Sequence, residues 1–258
     1  VILIPTTVGT GAEVVFNASF IDSDINVKMG INYYKNYPIL TILDPVLVYE
    51  MPISVAISSG CDALVHTLES YVNKKATTIS KIFGKEAFRL IINALPKLLC
   101  DKKDKKHWQD LLLGSHLAMM SLSNSSSGPA HVLGGYHLCT NYNVPHGFGG
   151  GIFLPKMTRL NHDLGYHGYH ELYDTIDECD VDIIDHEKRS EFVVMTIEKI
   201  FKSLGIPKTI RTYGANSKKD YDIFYKYATQ SMKHIFANNP IEIPNDIISK
   251  MLKSMIME

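Results

Sequence analysis

The chain opens on short apolar runs separated by polar and turn residues, and then changes period. Val1 to Ile4 is continuously apolar, the pattern of a strand covered on both faces. PTTVGTGAE follows, broken by Pro5, Gly9 and Gly11, and reads as a loop. Val14 to Ile21 and Val27 to Ile31, split by Asp22, Ser23, Asp24 and Asn26, predict a hairpin. Ile39 to Leu43 predicts another short strand, closed by Asp44 and Pro45. From about Ile53 the spacing turns helical, first through Ala63, Leu64, Thr67, Leu68 and Tyr71, then through Phe83, Ala87, Leu90, Ile91, Ala94 and Leu95. Leu111 to Leu122 is a third helical segment, and Phe192 to Leu204 is a fourth, stopped by Gly205 and Pro207. Ile247, Ile248, Met251, Leu252 and Met255 form a last amphipathic stripe. The run SLSNSSSG, between apolar helical segments, predicts a helix passing tightly through the core; a flexible linker is the alternative. The pattern therefore divides near Pro52, with residues 1–52 as strands of an α/β part and 53–258 as a mostly α-helical domain.

Composition narrows the classes. The chain has 258 residues, 45% of them hydrophobic, which supports a sizeable core and excludes a disordered protein. With 26 basic against 27 acidic residues, binding to nucleic acid by bulk charge is excluded. The run Asp101 to Lys106 mixes both signs and reads as a solvated loop. Cys61, Cys100, Cys139 and Cys179 form no C-x-x-C pair, which argues against a disulfide framework or a thiolate zinc site and for reduced thiols in the cytoplasm. No apolar stretch nears the roughly 18 residues of a membrane span. The first residues lack a signal peptide's basic start, and a chain opening inside a strand pattern without Met reads as the remainder of a longer protein.

Asp62 and His66 stand four residues apart in a helical pattern, so both project from one face. Such a pair is commonly an ion pair or hydrogen bond. A second cluster, HVLGGYHLCTNYNVPHG, adds His131, His137 and His146 within 16 residues. One carboxylate with two or three imidazoles is an N/O donor set without thiolate, suited to Fe²⁺ or Zn²⁺ acting as a Lewis acid. Core or surface positions are the plainer reading, and the one taken for His107, His116, His162, His167, His170, His186 and His234. TTVGTG, directly after a strand, is a loop of the kind that sets backbone N–H groups and hydroxyls against phosphate or ribose oxygens, though Gly-Thr turns are common.

Taken in order, PTTVGTGAEV, VKMGI, ILDP, the segment containing DALVHTLESYV, PAHVLGGYH, VPHGFGGGIFLP and LGIPKTIRTYG resemble the iron-containing (group III) alcohol dehydrogenase family. The resemblance runs through the whole chain and corresponds to the C-terminal two-thirds of such an enzyme. The family's Gly-Gly-Gly-Ser pyrophosphate loop has no counterpart. The resemblance implies a dehydroquinate synthase-like architecture, in which residues 1–52 are the last part of a dinucleotide-binding domain and 53–258 a helical metal-binding domain. It implies Asp62, His66, His131 and His146 as metal ligands. His131 stands one residue farther from the PHG motif than in relatives; an insertion at Gly134-Gly135, absorbed as a helical bulge, restores the match, and His137 is the alternative. With the insertion so placed the family's proton-relay position falls on Tyr136, or on Gly135 if counted straight, with His137 beside it. Thr6, Thr7 and Thr10 match threonines along the dinucleotide, and Lys28 a lysine near its phosphates.

The implied chemistry is reversible hydride transfer between a primary alcohol or aldehyde and NAD or NADP, with Fe²⁺ or Zn²⁺, in a cytoplasmic homodimer. The alternatives are a dehydroquinate synthase-like or glycerol dehydrogenase-like enzyme of the same fold, or an inactive truncated chain.

Overall fold

Helices carry most of the chain, and several begin where a side chain supplies an acceptor for their orphan N–H groups, as Thr77, Asp104, Asp185 and Ser217 do. A computed structural model describes residues 1–22, 24 and 27–257, and the backbone alone of Val27, Tyr136 and His137. Two short strands, β1 (Ile2–Leu3) and, later in the chain, the strand Leu40–Thr41, pair in parallel with Ile2 opposite Leu40. Between them β2 (Asn17–Asp22) and β3 (Val27–Asn32) form the expected antiparallel hairpin, with Phe20 opposite Met29; Leu40–Thr41 is therefore β4. The hairpin's first strand starts later than the apolar pattern suggests, because Ala12–Val14 turns as a 3₁₀ helix behind a left-handed Gly11. The apolar run Val1 to Ile4 holds β1, and the described residues leave most of it uncovered. Val1, Ile2 and Ile4 are exposed, as are Ile39 and Leu40.

The helical part begins at α1 (Ile53–Val72), directly after Pro52. It continues with α2 (Thr78–Ala94), opened by a reciprocal Thr77–Ser80 capping box, and α3 (Lys105–Ser123), capped by Asp104. These three pack together around Leu64, Leu68, Phe88, Ile91 and Trp108, all essentially inaccessible. A π-helical segment, His131–Leu138, runs into α4 (Cys139–Tyr142), and α5 (His146–Asp163) crosses α1. The outer elements are α6 (His186–Ser203), α7 (Lys218–Lys226), α8 (Lys233–Phe236) and α9 (Asn245–Ile256). The predicted stop of α6 holds: Leu204 caps it and Gly205 follows at φ 72°. No described helix is long and apolar enough to cross a membrane.

The serine run behaves differently from the continuous helix predicted for it. α3 ends at Ser123, Asn124 caps it, and the remainder passes as a packed loop. Its hydroxyls explain the choice of residues. Ser121 Oγ lies 2.7 Å from Ser70 Oγ and donates to the Ser80 carbonyl at 2.8 Å, while Ser125 Oγ donates to the Ser70 carbonyl. Small polar side chains let three helices approach closely and keep each buried hydroxyl partnered.

Candidate metal centre

Helical spacing places Asp62, His66 and Glu69 on one face of α1, at i, i+4 and i+7. That face is covered by the π-helical segment and by the start of α5, so all three side chains are buried. The segment brings in His131 and the first residue of α5 brings in His146. Three imidazole nitrogens then surround one carboxylate oxygen. Asp62 Oδ1 lies 3.8 Å from His66 Nε2, 4.0 Å from His131 Nε2 and 3.6 Å from His146 Nε2. Donor atoms of Asp62, His131 and His146 lie within 4.8 Å of one another. His66 reaches Asp62 from outside that triad, its ring stacked on His131 at 4.8 Å and 12°.

The other ring nitrogens have separate environments. His131 Nδ1 is 2.6 Å from Glu69 Oε2. His146 Nδ1 is 3.7 Å from the Cys139 Sγ, which in turn donates to the Gly134 carbonyl at 3.2 Å. His66 Nδ1 has no hydrogen-bond partner among the described residues. Burial pushes His66 well below the ordinary histidine value; the neighbouring His131 and Lys28 add to the effect, and the Gly9 backbone opposes it. His146 is lowered to about 4, chiefly by burial, against the pull of Asp62. Burial lowers His131 too, but the hydrogen bond and charge of Glu69, helped by Asp62, outweigh it and leave it raised. Cys139 is pushed up to about 11 by burial. Two imidazoles are thus held neutral with lone pairs available, beside one whose proton has two carboxylates near it.

The threonine loop is brought to the same place. A methyl group on Gly9 would sit 2.4 Å from Ser59, and the Gly9 backbone acts electrostatically on His66, so the loop lies directly on α1. Thr6 and Thr10 are exposed and Thr7 is half-buried. Glu13, buried at the end of this loop, lies 3.0 Å from His116 Nδ1 and ties it to α3. Lys28 on β3 sits close enough to feel Asp62 and Cys139; burial lowers its pKa and those two groups oppose the shift. The structure therefore gathers the threonine loop, Lys28, Asp62, His66, His131 and His146 into one region. The side chains of Tyr136 and His137 lie outside the described residues. Of the remaining histidines, His162 pairs with Glu191 at 2.9 Å and His170 stacks on His186, both away from this cluster.

Glu69 was not among the residues the sequence singled out. Its only mark is the i+7 position after Asp62, because its partners Gly128, Ala130 and His131 lie some sixty residues on. Cys139 had no mark beyond its proximity to the histidines.

Known proteins share sequence and fold with this chain. The chain is 26% identical over 214 residues to the 1,3-propanediol dehydrogenase of Citrobacter freundii, covering 83% of this chain and 55% of that protein. It is 27% identical over 232 residues to the NAD-dependent methanol dehydrogenase of Bacillus methanolicus, covering 90% and 60%. The chain thus spans under two-thirds of the length of these relatives. A solved structure of 1,3-propanediol oxidoreductase superposes with a TM-score of 0.87 at 23% identity, over 99% of this chain and 65% of that one, and shows the shared fold. Residues 56–256 match the C-terminal region of the Fe-containing alcohol dehydrogenases, and the chain belongs to that family.

Proposed function

We propose that Asp62, His66, His131 and His146 hold one divalent ion, Fe²⁺ or Zn²⁺, and that the chain serves reversible hydride exchange between a primary alcohol or aldehyde and NAD or NADP. The observation carrying this reading is the convergence of three imidazole Nε2 atoms on one buried carboxylate oxygen. Ligands held tetrahedrally at about 2.0–2.2 Å stand roughly 3.4 Å apart. The distances of 3.6, 3.8 and 4.0 Å around Asp62 Oδ1 lie near that value; Asp62, His131 and His146 already have donors within 4.8 Å of one another, and His66 has to move inward to complete the set. The donor set also fits: neutral imidazoles and a carboxylate, with no thiolate among them. When bound, such an ion supplies Lewis acidity toward an alcohol oxygen, and the nicotinamide supplies the redox chemistry.

The chain's own residues do the positioning. Asp62 and His66 on α1 and His131 on the π-helical segment are buried, while the His146 side chain stays 34% exposed, so the cluster opens on that side. Thr6, Thr7 and Thr10 offer hydroxyls to a dinucleotide on the loop that rests against His66, and Lys28 brings a positive charge to the same region. Tyr136 or His137 serves the proton transfer. The homodimer implied by the family would draw on the exposed apolar side chains of residues 1–47, and the free cysteines suit a reducing cytoplasm.

The test has two parts. Zn²⁺ or Fe²⁺ binding is measured by chelator competition on the chain and on its His66→Ala and His146→Ala variants; affinity near wild type in both variants would overturn the ligand set. NADH or NADPH oxidation with propanal is then followed in metal-loaded protein. Turnover insensitive to chelation would exclude the metal reading, and absence of turnover in loaded protein would favour the inactive-chain alternative.

A further inference from the structure

We propose that Glu69 is the positioning residue for His131: its carboxylate fixes the ring's proton on Nδ1 and so turns the Nε2 lone pair toward Asp62 and the ion. The inference rests on the metal-centre reading above.

The argument follows from hydrogen-bond direction. Glu69 is buried at 6% exposure, and its two oxygens meet four N–H groups. The Gly128 amide donates to Oε2 at 2.9 Å, the Ala130 amide donates to Oε1, and the His131 amide reaches Oε1 at 3.4 Å. Backbone amides can only donate, so these oxygens act as acceptors. The remaining partner, His131 Nδ1 at 2.6 Å, shares Oε2 with the Gly128 amide and must also donate. A neutral imidazole carrying its proton on Nδ1 has its lone pair on Nε2, the nitrogen 4.0 Å from Asp62 Oδ1. Glu69 therefore selects the tautomer that ligates.

Its place in the fold adds a second effect. Asp62 and His66 belong to α1, whereas His131 begins the π-helical segment. Glu69 joins them, because it stands on α1 and its amide contacts hold residues 128–131. Gly128 allows the approach, since a methyl group there would lie 3.0 Å from Glu69 Oε1. Of the three imidazoles only His131 has a carboxylate on Nδ1; His146 faces a thiol, and His66 has no partner among the described residues. Loss of Glu69 should thus act through one ligand.

A glutamine cannot replace it. Its NH₂ group would face either the Gly128 amide or the Ala130 amide, donor against donor. In the first placement it would also donate to Nδ1, moving the ring proton to Nε2 and its lone pair away from the ion.

The experiment is a double-mutant cycle in Zn²⁺ affinity, read by chelator competition on wild type, Glu69→Gln, His131→Ala and the double variant, with far-UV circular dichroism confirming the fold of each. Outer-sphere carboxylates of this kind typically hold roughly 10–100-fold in metal affinity, and that loss is expected for Glu69→Gln. In the His131→Ala background, where Asp62, His66 and His146 remain, the same change should cost less than about twofold. Two-bond ¹H–¹⁵N spectra of Zn²⁺-loaded protein should place the proton of His131 on Nδ1 in wild type and lose that signature in Glu69→Gln. Equal losses in both backgrounds would make Glu69 a merely structural residue, and an unchanged affinity would remove its role altogether. Either result overturns the inference. Should Glu69→Gln fail to fold, Glu69→Asp, which keeps the charge but shortens the reach, carries the same cycle. Failure of wild type itself to bind Zn²⁺ would instead overturn the metal reading on which the inference stands.

Discussion

Gly147→Ala tests how tightly α1 and α5 are drawn together around the cluster. A methyl group at Gly147 would lie 1.7 Å from the Ser58 carbonyl oxygen, 2.7 Å from its carbonyl carbon and 3.1 Å from Asp62 Cβ. A carbon–oxygen contact settles at about 3.3 Å or more, so the helices must separate by over an ångström. No flexible side chain is available to yield, because the obstructing atoms are backbone. Ser58 is also four residues before Asp62, so the displaced carbonyl is the helical acceptor for the Asp62 amide. Overpacking of buried sites costs about 1–3 kcal/mol, and a backbone clash of this depth belongs at the top of that range. Metal sites tolerate about 0.2 Å in ligand distance, so the same displacement should separate His146 from Asp62 and cost more affinity than the roughly 10–100-fold typical of indirect changes. The control is Gly165→Ala. Gly165 has φ 96° with nothing within 4 Å of the added methyl, so it suffers backbone strain alone, about 1 kcal/mol, and no loss of metal affinity. Urea unfolding and Zn²⁺ competition on both variants decide the matter. A Gly147→Ala protein within about 0.5 kcal/mol of wild type, or one less perturbed than Gly165→Ala, would refute the crossing argument.

Three further outcomes are expected. In metal-free protein His66 and His146 lie below their unfolded value near 6.5, so the stability gained from their neutral forms is present above that pH and lost as pH falls toward about 4 for His146; His131, being raised, contributes in the opposite sense and loses its share as pH rises. The urea midpoint should therefore fall between pH 6.5 and 4.5, less steeply in His146→Gln, and a flat profile would contradict the lowering of these two rings. Arg159, which bridges Glu191 at 2.7 Å and Glu198 at 3.0 Å near the surface, should lose no more than about 1 kcal/mol as Arg159→Met, and less in high salt. Ser121→Ala should cost about 1–2 kcal/mol in thermal or urea unfolding by stripping the buried Ser70 hydroxyl and Ser80 carbonyl of a partner, and no effect would mean those hydroxyls are not bonded as described.

Much of this was legible in the chain because it depends on short-range spacing. The Asp62–His66 face, the α6 stop at Gly205 and the hairpin all follow from local periodicity. The count of residues between His131 and His146 pointed to a helical bulge, and a π-helical segment occupies His131–Leu138, which accommodates an extra residue per turn. What was not legible depends on distant partners. Glu69 reads as an ordinary helical acid until Gly128, Ala130 and His131 fold onto it. Val1 to Ile4 carries the composition of a covered strand, but composition reports the environment a strand suits, and the described residues leave Val1, Ile2 and Ile4 exposed.

α5 shows why periodicity alone misses a helix at such a site. Its first turns read His-Gly-Phe-Gly-Gly-Gly, and each interior glycine costs a helix about 1 kcal/mol against alanine. Local propensity therefore argues for a loop, and no apolar stripe overrides it. The tertiary contacts do. Gly147 meets the Ser58 carbonyl, and Gly149 lies so near the π-helical segment that an added methyl would stand 2.4 Å from the Gly134 oxygen. Gly150 would press on Val65 at 3.2 Å and Gly151 on Phe201 at 3.0 Å. The π-helical segment answers in kind: a methyl on Gly134 would be 2.0 Å from the Gly149 oxygen, and one on Gly135 would be 2.8 Å from His146 Cε1. Three backbones meet where side chains would keep them apart. That approach is what allows His131 and His146, carried on different segments, to reach a carboxylate fixed on a third. The glycines that weaken α5 as a helix are thus the condition for the cluster to close, and alanines chosen to improve the helix would open it.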